Sequence, residues 1–356
     1  VGATAIKLLQ LSDQDIDAHL ETAKEWDSKI RSCQDKPHFT QSYGWGLFRG
    51  CSPWRPERHS IQVGESPYYF QTLSRTAPFI GELILAPRLS GVNAEVAKAL
   101  TAWGKTKKSL KRTALKADFN QPNTPMLTAP FTSLGWKRGR TVHYMYGVSV
   151  NIPQTEDELL ASYKKRARYE VKQGQKAGVS IRRADYSESD AALLISMMNL
   201  TQKRTGAYFH NEEYLNLEWR ILNRLGYGDF WFAEYEGETL AGAFVLRFGN
   251  RAWYREGGST RTQPKIFAAR YLQHAIMTDL VETGHINYDL GNIPRPWRKD
   301  KDPSSNLWAF KTGFSENFDF YAFPVELPLG PAYKWWHLQE ENWLRMNNLL
   351  HKEAWY

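Results

Sequence analysis

Tyr288-Asp289-Leu290-Gly291-Asn292-Ile293, followed downstream by Leu307-Trp308-Ala309-Phe310-Lys311-Thr312-Gly313-Phe314, is the most informative stretch of the chain. Its first part continues a strand, Ile286 to Leu290, that comes straight after a helical run from about Phe267 to Thr283. Upstream, Ala252-Trp253-Tyr254-Arg255 reads as a strand, and the runs Phe230 to Tyr235 and Thr239 to Leu246 flank the turn Glu236-Gly237-Glu238 as a hairpin would. Two helices precede them, Ala191 to Arg204 and one through Tyr214, Trp219 and Leu222, with Tyr208-Phe209-His210 between. This half opens near Val148-Ser149-Val150-Asn151-Ile152. There Thr155 and Glu158 fit a capping box, and Leu160, Tyr163, Ala167 and Val171 make the apolar stripe of one helix ending before Gly178, with Gly174 as its weak point.

The first half repeats that order. Thr4 to Arg31 predicts a strand and an amphipathic helix, Phe39 to Arg49 a second helix, and Ser60 to Val63 with Tyr68 to Leu73 a hairpin. A third strand, Glu82 to Leu85, ends at Ala86-Pro87-Arg88. Val92, Val96, Leu100 and Trp103 recur at helical spacing, and Thr113 to Asp118 is the next strand. Each half thus reads strand, helix, hairpin, strand, helix, strand, an α/β (α+β) architecture on a mostly antiparallel sheet. The expected domains are residues 1-147 with 325-356, and residues 148-324. Pro324, Pro328 and Pro331 lead into a Trp-rich helix, Trp335 to Leu350, that packs back across the molecule.

A length of 356 residues, 42% hydrophobic and 14% aromatic, suits two domains and excludes disorder as the main state. Two cysteines, Cys33 and Cys51, can form neither a disulfide framework nor a zinc site by themselves, so a reducing cytoplasm is expected. The N-terminus does not read as a signal peptide. No uncharged apolar run approaches the ~20 residues that cross a bilayer, so any membrane contact is expected to be peripheral. Lys+Arg 46 against Asp+Glu 38 leaves +8, compatible with a polyanionic partner and equally with an ordinary soluble protein.

The charges cluster. Lys164, Arg168, Lys172 and Lys176 lie four apart, with Lys165 and Arg166 beside the start and only Glu170 interrupting. On one continuous helix they form a basic line, either a solvated face or a phosphate track. Lys105, Lys107, Lys108, Lys111, Arg112 and Lys116 gather at the end of a predicted helix, where cations offset the helix dipole. Nine histidines form no His-Glu-x-x-His and the cysteines no Cys-x-x-Cys, so no metal is expected. A nucleophile elbow, a phosphate loop and a dinucleotide fingerprint are absent too.

Together with the opening stretch, Phe39-Thr40-Gln41-Ser42-Tyr43-Gly44-Trp45, Ala86-Pro87-Arg88, Leu134-Gly135-Trp136, Tyr163 to Tyr169, Lys176-Ala177-Gly178-Val179, Ala241-Gly242-Ala243-Phe244 and Tyr254 with Gly257-Gly258-Ser259 occur in a telling order. The chain resembles the FemABX family, aminoacyl-tRNA-dependent transferases that extend peptidoglycan precursors with bridge amino acids. The resemblance runs through nearly the whole chain. It implies two tandem GNAT-like acyltransferase domains with the C-terminal tail returning to the first. The precursor is then expected in a groove of the first domain and near the domain boundary, and the tRNA 3′ end in the second. By matching position, Lys311 is the lysine placed at the aminoacyl ester, with Phe310 beside it. Arg49 is the basic contact to the precursor's diphosphate, and Asp118 is a pocket residue. Trp45, Arg88 and Tyr254 fall in matched motifs and are expected to line the substrate. His210 and Tyr214 lie where family members can carry Arg for a second phosphate contact. A histidine is mostly neutral at pH 7, which weakens that contact here. Asn292 replaces a glycine common in the Asp-x-Gly-Gly pattern, and the lack of a long heptad-bearing insertion matches an armless type. Lys164, Lys165, Arg168, Lys172 and Lys176 are the implied tRNA track.

The chemistry sets its own demands. The donor is an activated ester, so the enzyme has to orient an amine, let it lose a proton and stabilise an oxyanion. A free lysine amine, pKa about 10.4, is mostly protonated at pH 7, so its deprotonation is a real requirement. A fixed cation at Lys311 suits the oxyanion, and no cofactor is needed beyond aminoacyl-tRNA as co-substrate. Without its motif, Lys311 reads as a surface lysine between aromatic core residues, and Tyr254 and Asp289 suit sheet packing equally. Two other functions compete: an acyl-CoA-dependent N-acyltransferase, against which the segment Ser259 to Tyr271 lacks the Gln/Arg-x-x-Gly-x-Gly/Ala loop, and a non-catalytic RNA-binding module, supported only by the basic clusters. The expected partners are aminoacyl-tRNA and a UDP-linked or lipid-linked muropeptide, or a related non-cell-wall peptide. A monomer in the cytoplasm, at the inner face of the membrane, is expected.

Overall fold

Ser12 starts the first helix: its hydroxyl accepts from Asp15 N while the Asp15 carboxylate accepts from Ser12 N, which satisfies two orphan amides at once. The computed structural model describes residues 8–205, 209–295 and 305–351. Helices α1 (Asp13–Asp17), α2 (Leu20–Cys33) and α3 (Tyr43–Gly50) lead into strands β1 (Arg55–Val63), β2 (Ser66–Ala77) and β3 (Gly81–Leu89). Helix α4 (Ala94–Thr106), capped by the Asn93 side chain, carries the chain over to β4 (Arg112–Phe119), and α5 (Pro125–Ser133) and β5 (Lys137–Arg138) follow. The second series is β6 (Tyr146–Asn151), α6 (Glu156–Ser162), α7 (Lys165–Ala177), β7 (Ser180–Ala184), α8 (Glu188–Thr205) and α9 (Glu212–Arg224). It continues with β8 (Gly228–Tyr235), β9 (Glu238–Phe248), β10 (Arg251–Ser259), α10 (Ala268–Glu282), β11 (Asn287–Asn292), α11 (Ser305–Lys311), β12 (Asn317–Phe320), β13 (Val325–Pro328) and α12 (Tyr333–His351).

The chain divides into two compact units, one made of the residues up to Met145 and from Phe320 onward, the other of Tyr146–Asp319. The first holds a six-stranded sheet in the order β1-β2-β3-β4-β13-β5, in which β3 and β4 run parallel and the other pairs antiparallel. Period-two alternation sends Leu83 and Leu85 to one face, where Trp336 and Trp343 of α12 cover them, and Ile84 and Ala86 to the other, under Val96 and Leu100 of α4. The second unit's sheet runs β12-β6-β11-β10-β9-β8-β7, with β10 and β11 parallel and bridged by a helix. The slot beside the parallel strand is filled by β6 in the second unit and by β13 in the first, so the C-terminal tail completes the first unit.

Several expectations change. The opening strand has no counterpart among residues 8–12, and the residues before it lie outside the described ones. The third strand does not stop at Leu85. It runs through Ala86-Pro87-Arg88, where Pro87 O accepts from Gln41 Nε2 at 2.6 Å and Arg88 takes a φ of 46° at a register shift. The apolar stripe Leu160 to Val171 spans two helices, broken where Tyr163 turns extended (ψ 152°) and its hydroxyl reaches His274 Nδ1 at 3.2 Å. Lys164 therefore caps α7 instead of lying inside it. Gly174 does not weaken α7: a Cβ there would meet Tyr271 Cβ at 2.7 Å, so the glycine admits close packing on α10.

Candidate functional site

In the second unit, β10 and β11 stay paired only as far as Trp253 and Asp289. Beyond that point the strands part, and Lys311, the last residue of α11, puts its amine against the gap. Its Nζ donates to Asn292 O at 2.8 Å, and a Cβ on Gly291 would lie 3.6 Å from Nζ and 3.9 Å from Tyr254 O. Lys311 is buried, and loss of water pushes its amine down to about 8, with the Asp289 charge pulling the other way. Asp289 in turn accepts from Gly291 N at 2.6 Å, which holds the backbone turn beneath the lysine. The Tyr254 phenol is kept protonated first by burial and then by the nearby Glu256. Lys311 and the Tyr254 backbone thus border the same turn at Gly291, with Phe310 next to Lys311 in the chain.

What aims Lys311 is a residue that sequence reading missed. The Arg270 guanidinium lies between the rings of Phe310 and Phe314, 4.5 and 4.6 Å from their centroids, and donates to Phe310 O at 2.5 Å. Its Nε donates to Glu170 at 2.9 Å. A Cβ on Gly313 would sit 2.8 Å from the Arg270 NH1 atom, so each element of Phe-Lys-x-Gly-Phe has a physical reason: two rings clamp a cation, a glycine admits it, and the lysine turns the other way. Glu170, read as an interruption of the basic line, is the buried anchor of this clamp. Its isolation among cations was the one available signal. Arg270→Met should cost on the order of 3 kcal/mol by leaving Glu170 buried with only the exposed Arg166, and Glu170→Gln added to it should recover much of that. Urea unfolding midpoints of the three proteins test this, and a single variant as stable as the parent would refute the clamp.

In the first unit, Arg49 projects from α3 and is buried over the rings of Trp45 and Trp54, at 5.9 and 5.4 Å. Its Nε has no hydrogen-bond partner and no carboxylate pairs with it among the described residues. A buried guanidinium with no carboxylate beside it has the chemistry to accept an anion. Asp118, at the end of β4, accepts from His143 Nδ1 at 2.5 Å and faces Arg88 Nε at 3.6 Å. Burial raises the Asp118 carboxyl, but Arg88 and His143 outweigh it and leave it below its ordinary value. His143 is pushed down, by burial first and then by the Arg88 and Arg49 charges, against the pull of Asp118. With Nδ1 tied to Asp118 and a quarter of the side chain exposed, a neutral His143 offers the Nε2 lone pair as a proton acceptor. Spacing gave no hint of this pair, because His143 lies in a loop 25 residues from Asp118.

Two expected substrate residues turn out to be engaged by the fold. Trp45 is buried edge-on between Phe39 and Phe48, supporting Arg49 from below. Arg88 is buried between the rings of Tyr144 and Tyr321 and donates to Phe119 O and Tyr144 O. It positions Asp118 and offers no free edge. His210 and Tyr214 stack at 4.0 Å at the start of α9. Arg255, whose charge reaches Tyr214, is held by both oxygens of Glu218 and by Glu256, so its guanidinium is already committed to carboxylates. On α7, Lys165, Lys172 and Lys176 are exposed, while Lys164 pairs with Glu316 at 2.7 Å and Arg168 donates to Ala161 O. Among the described residues no group of three or more His, Cys, Asp or Glu could hold a metal, and no helix is long and apolar enough to cross a membrane.

A family model described as an acetyltransferase (GNAT) domain matches residues 161–299. Lipid II:glycine glycyltransferases from two strains of Staphylococcus epidermidis are each 23% identical over 313 residues, 67% of this chain and 74% of theirs. Among solved structures, the crystal structure of FemX superposes with a TM-score of 0.76 at 17% identity, covering 93% of this chain and 99% of that one. A conserved protein of unknown function from Bacteroides thetaiotaomicron VPI-5482 follows at TM-score 0.56 and 10% identity, covering 91% and 99%. These superpositions establish the fold.

Proposed function

We propose that this chain, which belongs to the FemABX family, transfers an aminoacyl group from tRNA to the side-chain amine at the third position of a peptidoglycan stem peptide, forming a cross-bridge. The observation that carries the reading is Lys311, a buried amine held at the parting of β10 and β11 by Asn292 O. A cation fixed there serves an ester carbonyl as its oxygen gains charge, and costs no reorganisation at the moment of reaction. The second unit holds the charged tRNA end, with the exposed lysines of α7 neutralising phosphates along its approach. The first unit holds the precursor, lipid-linked as in the staphylococcal relatives or UDP-linked, with its diphosphate on Arg49.

The reaction needs no covalent enzyme intermediate and no cofactor. The amine nitrogen attacks the ester carbonyl carbon and a C–N bond forms. In the first unit, His143 Nε2 is the proton acceptor available to the amine of a precursor held there. The C–O bond to the terminal ribose then breaks, and the ribose oxygen leaves as a hydroxyl, taking its proton from water while the amine's proton passes on to solvent. Asp118 holds the imidazole in the tautomer that keeps Nε2 free.

The acyl-CoA reading fits less well. The segment into α10 is a short turn, Pro264–Ile266, ending on Phe267 at a φ of 55°, with no glycine-lined amide cradle, and α7 packs against it at Gly174. The test is to incubate the protein with mixed charged tRNA and UDP-linked or lipid-linked pentapeptide and weigh the product. An aminoacyl mass gain that disappears when the tRNA is first treated with RNase is expected. No gain, or a gain that survives RNase, refutes the reading, and a gain dependent on acetyl-CoA would replace it.

A further inference from the structure

The basic cluster at the end of α4 has no part in the chemistry above, and the structure shows what surrounds it. Lys105, Lys108 and Lys111 are exposed and Lys107 half-buried, and none of the four has an acidic partner among the described residues. Glu82, close by, is already bridged by Arg55 and Arg112. Amid these lysines two turns present large apolar side chains entirely to solvent: Phe79 at 107% and Leu110 at 88% relative exposure. The turns are tied together, Glu82 N donating to Lys111 O at 2.8 Å and Thr113 Oγ1 to Ile80 O at 2.5 Å. Ser109 N donates to Leu329 O at 3.1 Å, so α12 begins a few residues from the Leu110 turn. Its first turns expose Lys334, Trp335 at 50% and Leu338 at 71%.

Phe79 is the decisive residue. Its φ is 64°, in the left-handed region where a bulky side chain is disfavoured and glycine is usual. A side chain in full solvent returns no packing to the fold for that strain. Apolar tips set in a ring of uncompensated lysines match the two layers of an anionic lipid surface, headgroups for the lysines and acyl chains for Phe79, Leu110, Trp335 and Leu338. Single-stranded RNA would satisfy the lysines and could stack on Phe79, but Leu110 and Leu338 offer a base neither a ring nor a hydrogen bond.

We propose that this end of the first unit, the turns carrying Phe79 and Leu110 with their lysines and the start of α12, docks on the surface of an anionic membrane. The site goes beyond the transfer reaction and involves none of its residues.

The test uses the whole protein with vesicles of equal parts phosphatidylglycerol and phosphatidylcholine, and with vesicles of phosphatidylcholine alone. Wild type should sediment with the anionic vesicles only, and salt should release it. Phe79→Ser with Leu110→Ser should weaken that binding at least about tenfold, and Lys108→Glu with Lys111→Glu should do likewise. Transfer to a soluble UDP-linked acceptor should be unchanged in both double variants. Wild-type sedimentation that ignores phosphatidylglycerol, or variants that bind as wild type does, would overturn the proposal. So would a wild-type dimer in light scattering that the Phe79 and Leu110 changes split, since a second copy would then be the occupant. Vesicle binding without any transfer activity would sink the catalytic reading alone; transfer without vesicle binding would sink this surface alone.

Discussion

Lys311→Met should lower aminoacyl transfer by about a hundred- to a thousandfold, the cost of removing a fixed group that stabilises developing charge, while leaving the fold at least as stable. The two halves of that expectation share one cause. Burial pushes the Lys311 amine from the ordinary 10.5 down to about 8. Between pH 8 and 10.5 the unfolded chain holds a proton that the folded chain has lost, so this group makes stability rise with pH across that window. Below pH 8 both states are protonated, and the buried cation carries its full desolvation cost, on the order of 3 kcal/mol. Methionine removes that cost, offset in part by the unpaired Asn292 carbonyl. Thermal unfolding at pH 7 and at pH 10 checks the sign: the gain over wild type should be larger at pH 7. The rate has its own signature. If the charged amine is the active form, wild-type turnover falls above about pH 8, against the general tendency of an amine nucleophile to react faster as pH rises. Near-normal turnover in Lys311→Met would remove the lysine from the mechanism.

His143→Asn should slow transfer by about a hundredfold or more, the usual worth of a positioned general base. Asparagine cannot accept the amine proton, yet its side chain is small enough to stay beside Asp118 without disturbing Arg88. The pH profile separates a base from a packing residue. His143 titrates below its ordinary value because burial, Arg88 and Arg49 outweigh Asp118, so wild-type turnover should stay high through pH 7 and fall only on the acid side of about 6.5. In His143→Asn that acid limb should flatten at the lower rate. A variant with wild-type turnover, or with the same acid limb, would mean the proton leaves by another route.

Much of this was legible in the chain and some of it was not. Helices α4, α9 and α10, the hairpin strands and the repeated order of elements follow from apolar spacing, which a single stretch of sequence carries in full. The motif around Lys311 was legible too, because Phe310, Lys311, Gly313 and Phe314 are neighbours. Its reason was not: Arg270 and Glu170, which give the motif its shape, are 100 residues apart in sequence. The break at Tyr163 escaped notice because the apolar stripe keeps its helical spacing through a residue that turns extended. Trp45 and Arg88 were located correctly within motifs, but whether such a residue faces substrate or core depends on what packs over it.

By itself, then, the sequence carried the repeated order of elements, the resemblance to a family and the motif around Lys311, since these rest on local periodicity and contiguous motifs. Tertiary structure alone decided the charge state and company of the key groups. It set the lowered amine of Lys311, joined His143 to Asp118, left Arg49 with rings but no carboxylate beside it among the described residues, and drew the lysines of the α4 cluster around two exposed apolar turns. Desolvation and ion pairing act through space over a few ångströms, and residues far apart along the chain become partners only when it folds.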